Sequence, residues 1–110
     1  MDIKEKEYFR YAVYDTVRSV PAGRVTTYGT ISRAIGYPNM ARLVGKTMAE
    51  CGDPDVPAHR VVNAGGALSG EHLFGSGGKM KKMLEAEGII VENGRIKGWR
   101  KVFWDPMEEN

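Results

Sequence analysis

His59 and Glu87 are the residues of this chain best suited to acid–base chemistry. A histidine with a carboxylate partner makes a base that can activate a nucleophile. No nucleophile stands beside His59 in the sequence, because the preceding residue is Ala58, whose methyl group has no lone pair with which to attack. Cys51 lies seven residues before Ala58, beyond two prolines, and nothing in the sequence places it beside His59. Taken alone, each of the two residues is most often a structural one.

The spacing of the residues does not predict a metal site, a phosphate-binding loop or a serine hydrolase. His59, His72 and Cys51 lack any metal-ligand spacing, so we expect no metal site and no cofactor. The glycine-rich segment 69–78 contains neither the Gly-Lys-Ser/Thr of a phosphate-binding loop nor the pattern around a hydrolase serine.

Length and composition indicate one globular domain, which we assign to residues 1–110. The chain has 110 residues, of which 42% are hydrophobic and 27% charged. The formal charge of +2 is mildly basic and does not by itself demand a nucleic-acid partner. The basic residues concentrate between positions 60 and 101, where eight basic residues stand against four acidic ones.

The single cysteine, Cys51, and the polar N-terminus bear on where the protein works. No internal disulfide is possible, so a reducing compartment is natural. No apolar run approaches membrane-spanning length, and residues 1–7 do not resemble a signal peptide. We therefore expect a cytoplasmic, nucleoid-associated or nuclear protein that does not bind membranes.

Hydrophobic periodicity predicts four helices, over 3–20, 28–35, 40–50 and 79–87. Thr26 or Thr27 is expected to cap the second helix, and Asn39 the third. The second and third helices could form a helix-turn-helix with Arg42 and Lys46 on its outer face. They could also form an ordinary corner between two helices, and this segment taken alone favours the corner.

Short β-structure is expected at two places. Residues 61–63 and 67–68 could form a small hairpin around a glycine pair. A second hairpin is expected at 89–97, since Asn93-Gly94 is the strongest two-residue turn signal. Following the helices, it could be a wing. The aromatic residues Trp99, Phe103 and Trp104 are expected to pack back on the core. The predicted fold is α+β, mainly helical and winged helix-turn-helix-like.

Four sequence blocks in the same order resemble the O(6)-alkylguanine-DNA alkyltransferases. Residues 21–29, Pro-Ala-Gly-Arg-Val-Thr-Thr-Tyr-Gly, are similar to the family's Pro-x-Gly-x-Val-x-Thr/Ser-Tyr-Gly segment. Residues 41–48 are similar to its recognition helix, and residues 84–88 to its Leu-x-x-Glu-Gly helix end. Residues 57–61 resemble its active-site motif Pro-Cys-His-Arg-Val, with Ala58 in place of the cysteine. The compact size and missing cysteine resemble the non-catalytic, alkyltransferase-like branch, many members of which have tryptophan at this position.

The resemblance implies that the protein binds duplex DNA carrying O(6)-alkylguanine and flips the lesion into a pocket without acting as an enzyme. Arg42 would fill the gap left by the flipped base, and Tyr28 would help to rotate the nucleotide outward. His59 and Glu87 would be remnants of the relay that activates the thiolate. The implied DNA-binding residues are Tyr28, Ala41, Arg42, Gly45, Lys46 and Arg60, and the implied lesion pocket consists of Tyr28, Pro57, Ala58, Val61, Phe74 and Ser76.

The resemblance further implies a monomer that marks lesions for nucleotide excision repair proteins and competes with conventional alkyltransferases. Two other functions stay open. One is an active alkyltransferase that uses Cys51 or a water activated by His59, or a natural enzyme whose cysteine was replaced by Ala58 through engineering. The other is a plain helix-turn-helix regulator that reads DNA sequence and ignores damage.

Overall fold

The computed structural model describes residues 1–68 and 78–108 of the chain. Within these ranges two short sheets accompany a mainly helical framework. The β1 and β2 strands are parallel, whereas β3 and β4 are antiparallel. The elements in chain order are α1 Ile3–Arg18, β1 Thr26–Thr27, α2 Tyr28–Ala34, α3 Ala41–Ala49, a 3-10 turn Ala58–Arg60, β2 Val61–Val62, α4 Lys79–Ala86, β3 Val91–Glu92, β4 Arg95–Ile96 and α5 Trp99–Val102. This arrangement confirms the predicted mainly helical α+β fold.

The α1 helix forms where the apolar periodicity predicts it and supplies one wall of the core. Asp2 caps it by accepting a hydrogen bond from the backbone amide of Glu5. Its inward stripe, Phe9, Val13 and Val17, is buried. The helix ends at Arg18, two residues before the predicted end at position 20.

The α2 and α3 helices pack against each other as a helix-turn-helix. Thr27 caps α2 as predicted, because its hydroxyl accepts a hydrogen bond from the first-turn amide of Thr30. The prediction that Asn39 caps α3 is wrong. Asn39 adopts a left-handed conformation with φ 67°, and α3 begins two residues later. The amide of Met40 is satisfied instead by the hydroxyl of Ser32 from α2, at 2.9 Å.

The buried apolar residues form two clusters. The first lies among α1, α2, α3 and the loop before the 3-10 turn; it consists of Phe9, Val13, Val17, Ile31, Val44, Met48, Val56 and Val61. The second joins α4 to the C-terminal hairpin; it consists of Val25, Val62, Leu68, Met80, Leu84, Ile89, Val91 and Ile96. Because the consecutive residues Val61 and Val62 belong to different clusters, β2 lies at the junction between them.

The prediction of a local hairpin at residues 61–68 is wrong in its main pairing. The β2 strand pairs in parallel with β1, in the register Thr26 with Val61, and Ala67 forms its bridge with Arg95. Only one backbone hydrogen bond, from Asn63 to Ala67, links the two arms. The β1–β2 pairing holds the 3-10 turn close to the start of α2.

The second predicted hairpin is confirmed. Val91 pairs with Ile96 across a two-residue turn whose residues, Asn93 and Gly94, both have positive φ, as a type I′ turn requires. The aromatic residues that follow this hairpin in the sequence pack on the core only in part. Trp99 contacts the second cluster and meets Phe103 edge to face at 5.1 Å, but both are only half-buried. No helix in the described ranges is long and apolar enough to cross a membrane.

Candidate functional site

The 3-10 turn Ala58–Arg60 brings His59 against Glu87, which follows the last residue of α4. The Nε2 atom of His59 lies 2.7 Å from Oε2 of Glu87, although 28 residues separate them in the sequence. His59 is 6% exposed. The pairing of histidine and carboxylate expected from the sequence is therefore present in the fold.

Four further hydrogen bonds hold the Glu87 carboxylate. The Arg60 guanidinium donates to Oε2 at 2.8 Å through Nη2, and its Nε lies 3.1 Å from both oxygens. The backbone amide of Gly23 donates to Oε1 at 3.0 Å. Burial raises the pKa of Glu87, but the bonds from Arg60, Gly23 and His59 outweigh burial and lower this pKa to about 2. Glu87 is thus ionised throughout the physiological range.

The ionised partner determines what His59 can do. A carboxylate can only accept hydrogen bonds, so Nε2 of His59 carries the shared proton. The other ring nitrogen, Nδ1, is buried and has no hydrogen-bond partner in the described part of the chain. In the neutral ring Nδ1 is therefore an acceptor without a partner among the described residues. The preceding side chain, Ala58, has no proton to give.

Arg60, which is predicted to contact DNA, makes most of its contacts inside the fold. Its side chain is only 18% exposed. Besides Glu87, its guanidinium binds the backbone carbonyl of Val20 through Nη1 at 2.9 Å. These bonds tie the end of α1, the 3-10 turn and the end of α4 together. Arg60 is consequently part of the internal framework, and it also lines a pocket beside the turn together with Ala58 and His59.

A pocket of about 610 Å³ opens beside the turn. Pro57, Ala58 and His59 line it, as expected for a lesion pocket, and Cys51 lines it as well. Nothing in the sequence places Cys51 beside His59, yet both residues line this pocket. The remaining wall includes residues that the sequence did not single out: Arg18, Asp53, Lys79 and Met83.

Two of the other residues predicted for the lesion pocket do not line this cavity with their side chains. Tyr28 lines a separate pocket of about 530 Å³, together with Ala41 and Trp99. Val61 is 1% exposed and its side chain belongs to the first apolar cluster. Phe74 and Ser76 fall outside the described residues. Pro57 and Ala58 are therefore the members of the predicted set that the described residues place in the pocket.

The outer face of α3 carries the predicted DNA-binding residues. Arg42 and Lys46, one helical turn apart, are exposed and form no ion pair with residues 1–68 or 78–108. Beside them Tyr28 lies over Gly45, where an added Cβ would be 3.9 Å from the ring. The structure thus gathers Tyr28, Ala41, Arg42, Gly45 and Lys46 around one helix.

Sequence reasoning missed the contribution of Gly23 and the internal role of Arg60. The Gly23 amide reaches Glu87 from 64 residues away, and no local signal marks such a bond. A buried carboxylate next to a histidine and an arginine is a detectable pattern only once the fold brings the three together.

Comparison with known proteins identifies the family. Residues 8–89 match the family described as "6-O-methylguanine DNA methyltransferase, DNA binding domain". Alkyltransferase-like protein 1 of Schizosaccharomyces pombe is 40% identical over 89% of this chain and 95% of its own length. A DNA base-flipping protein of Vibrio parahaemolyticus is 38% identical over 91% of this chain and 99% of its own length.

A solved structure resembles the fold closely. The crystal structure of S. pombe Atl1 in complex with damaged DNA containing O6-carboxymethylguanine has a TM-score of 0.81 and 35% identity. The match covers 96% of this chain and all of that one. The winged helix-turn-helix-like fold is therefore confirmed.

Proposed function

Because this chain belongs to the family of 6-O-methylguanine DNA methyltransferase DNA-binding domains, we propose that it recognises O(6)-alkylguanine in duplex DNA without repairing it. The protein rotates the alkylated nucleotide out of the helix and holds it in the pocket beside the 3-10 turn. It neither transfers the alkyl group nor cleaves the strand.

The observation that carries this proposal is the combination of an assembled base with an absent nucleophile. His59 is paired with an ionised Glu87, and its Nδ1 is an unpartnered acceptor in the described structure. Ala58, at the head of the turn, lines the pocket where a thiol would be needed. Without a lone pair at that position, an alkyl group has no acceptor. The pocket can then bind the alkylated nucleotide but cannot accept its alkyl group.

The DNA-binding side of the proposal rests on α3. Arg42 is exposed and unpaired among the described residues, and its flat guanidinium can stack in the gap of an extruded base and still donate hydrogen bonds. Ala41 and Gly45 are small, which allows close approach in the minor groove. Tyr28, over Gly45, is placed to press on the backbone next to the flipped nucleotide.

Lesion recognition is tested with two duplexes of one sequence that differ only in guanine or O(6)-methylguanine. We expect tighter binding to the alkylated duplex, because extrusion costs less for a base whose pairing is already weakened. Equal affinity for the two duplexes would favour a plain helix-turn-helix regulator instead.

An active enzyme is a second candidate because Cys51 shares the pocket with Ala58 and His59. In that case the bond between O6 and the alkyl carbon breaks and a bond from the Cys51 sulfur forms. The thiol proton passes to the released guanine, and the protein gains the mass of the alkyl group less one hydrogen. Mass spectrometry after incubation with the alkylated duplex is expected to show unchanged protein and unchanged DNA. A mass gain absent from Cys51→Ser would establish transfer; recovery of plain guanine without a mass gain would establish hydrolysis.

The role of Arg42 is tested against a simple charge loss. We expect Arg42→Ala to weaken binding of the alkylated duplex more than Lys82→Ala does, since the Arg42 side chain contributes stacking as well as charge. Both side chains are exposed, so folding should be unaffected. Equal losses of affinity would show that Arg42 contributes only charge and does not stack in the gap left by the flipped base.

Binding without repair has a role in the cell only if it affects other proteins that act on the lesion. We propose that the protein acts as a monomer inside the cell, marks the lesion for nucleotide excision repair proteins and competes with conventional alkyltransferases. The last point is testable in vitro, because excess protein should slow alkyl removal by such an enzyme from the same duplex. An unchanged rate would exclude competition.

A further inference from the structure

A groove of about 400 Å³ between α1 and α3 has the charge expected of a site for anions. Lys6 and Arg10 line it from α1, and Lys46 lines it from α3. All three are exposed and unpaired within the part of the chain that the structure describes. The single carboxylate in the lining is Glu50. Three cations against one anion leave an excess positive charge along the groove.

No carboxylate among the described residues forms an ion pair with these cations. Glu5, beside Lys6 in the sequence, accepts a hydrogen bond from the hydroxyl of Tyr37 at 2.8 Å and does not line the groove. Under the cations lies an apolar floor formed by Phe9, Met40 and Leu43. Alternating phosphates and deoxyribose rings match this combination, because the phosphates carry the charge and the sugar rings present apolar faces.

The position of the groove relative to Arg42 indicates which strand would occupy it. With 3.6 residues per turn, Ala41 and Gly45 lie on one flank of α3, whereas Leu43 and Thr47 lie on the other, with Arg42 between them. Tyr28 covers the first flank and the groove borders the second. A helix over the minor groove, which is only about 6 Å wide, has one sugar–phosphate strand on each side.

We infer that the groove lined by Lys6, Arg10 and Lys46 binds the sugar–phosphate backbone of the strand opposite the lesion. The inference rests on the proposed function, in which Tyr28 contacts the lesion strand. The α1 helix thereby becomes part of the DNA interface. The two strands are then gripped from either side of α3 while Arg42 enters between them.

The test compares the salt dependence of duplex binding by wild type and by Lys6→Gln/Arg10→Gln. Each lost phosphate contact lowers the slope of log K against log salt by about 0.9. The double variant should therefore lose about 2 units of slope. The control, Lys4→Gln/Lys101→Gln, removes two exposed cations that do not line the groove and should leave the slope unchanged. Charge-preserving Lys6→Arg/Arg10→Lys should also keep the wild-type slope.

Methylphosphonate linkages, which are uncharged, identify the strand. Placed opposite the lesion, they should abolish the difference in affinity between wild type and the double variant; placed in the lesion strand, they should preserve it. A wild-type slope in the double variant would overturn the inference and leave the groove to an acidic peptide of a protein partner. A difference that survives neutralisation of the opposite strand would overturn the strand assignment.

The two proposals fail in different ways. Equal affinity of wild type for damaged and undamaged duplexes refutes lesion recognition but leaves the slope of the double variant to decide the groove. Lesion preference combined with an unaltered slope refutes the groove alone.

Discussion

Ionisation of Glu87 should make the free energy of unfolding depend on pH. The single substitution Glu87→Gln should remove this dependence. The pKa of Glu87 in the folded protein is about 2, against 4.5 for an unperturbed carboxyl, and its side chain is 15% exposed. A lowered pKa stabilises the fold above the unfolded pKa, and the stabilisation disappears as the pH falls through the folded pKa. A difference of this size corresponds to about 3 kcal/mol at neutral pH. That is a large share of the roughly 5–15 kcal/mol that holds a small domain together.

The assay is urea unfolding of wild type and Glu87→Gln at a series of pH values from 7 to 2. The variant keeps a carbonyl oxygen for Arg60 and Gly23 but cannot ionise. We expect the difference in unfolding free energy between the two proteins to be constant above about pH 5 and to shrink by about 3 kcal/mol by pH 2. Glu85→Gln, an exposed neighbour on the same helix, should show no such dependence. A difference for Glu87→Gln that stays flat with pH would refute the reasoning.

Three further substitutions test other parts of the structure. Gly45→Ala should leave folding intact or stabilise it by up to about 1 kcal/mol in thermal melts, since the new methyl meets Tyr28 at an ordinary distance, yet it should weaken duplex binding. Weakened folding would contradict that geometry. Gly66→Ala should lower the melting temperature clearly, because φ is +92° and the Cβ would lie 2.8 Å from Trp99; an unchanged melting temperature would show that this contact relaxes. Thr27→Ala should cost about 1 kcal/mol in urea unfolding through loss of the α2 cap, and no loss would discount the cap.

The helices were predictable because their apolar spacing coincides with one buried face. Phe9, Val13 and Val17 fall on a single stripe of α1, and all three are buried. The turn at Asn93-Gly94 was predictable for a similarly local reason, since both residues tolerate positive φ. The ends of helices were less certain. Asn39 has the side chain of a cap, but a left-handed backbone prevents it from serving as one.

Long-range pairing was not predictable from the sequence. The β2 strand has only two residues, and it pairs with a strand 35 positions earlier, where the local pattern suggested a neighbour a few residues away. Arg60 posed the same difficulty. Its position next to His59 suggested a ligand contact, whereas its partners are Glu87 and Val20 in distant segments.

The hydrogen bonds around Glu87 would favour keeping this residue in evolution even in a protein that catalyses no reaction. Deleting this carboxylate would leave the Gly23 amide and two nitrogens of the half-buried Arg60 guanidinium without their acceptor, which would destabilise the fold. A descendant that had no use for acid–base catalysis could not easily shed the residue. Selection for a folded chain alone would preserve what looks like half of an enzyme's machinery. A histidine–glutamate pair of this kind is poor evidence of activity in any relative whose nucleophile has not been examined.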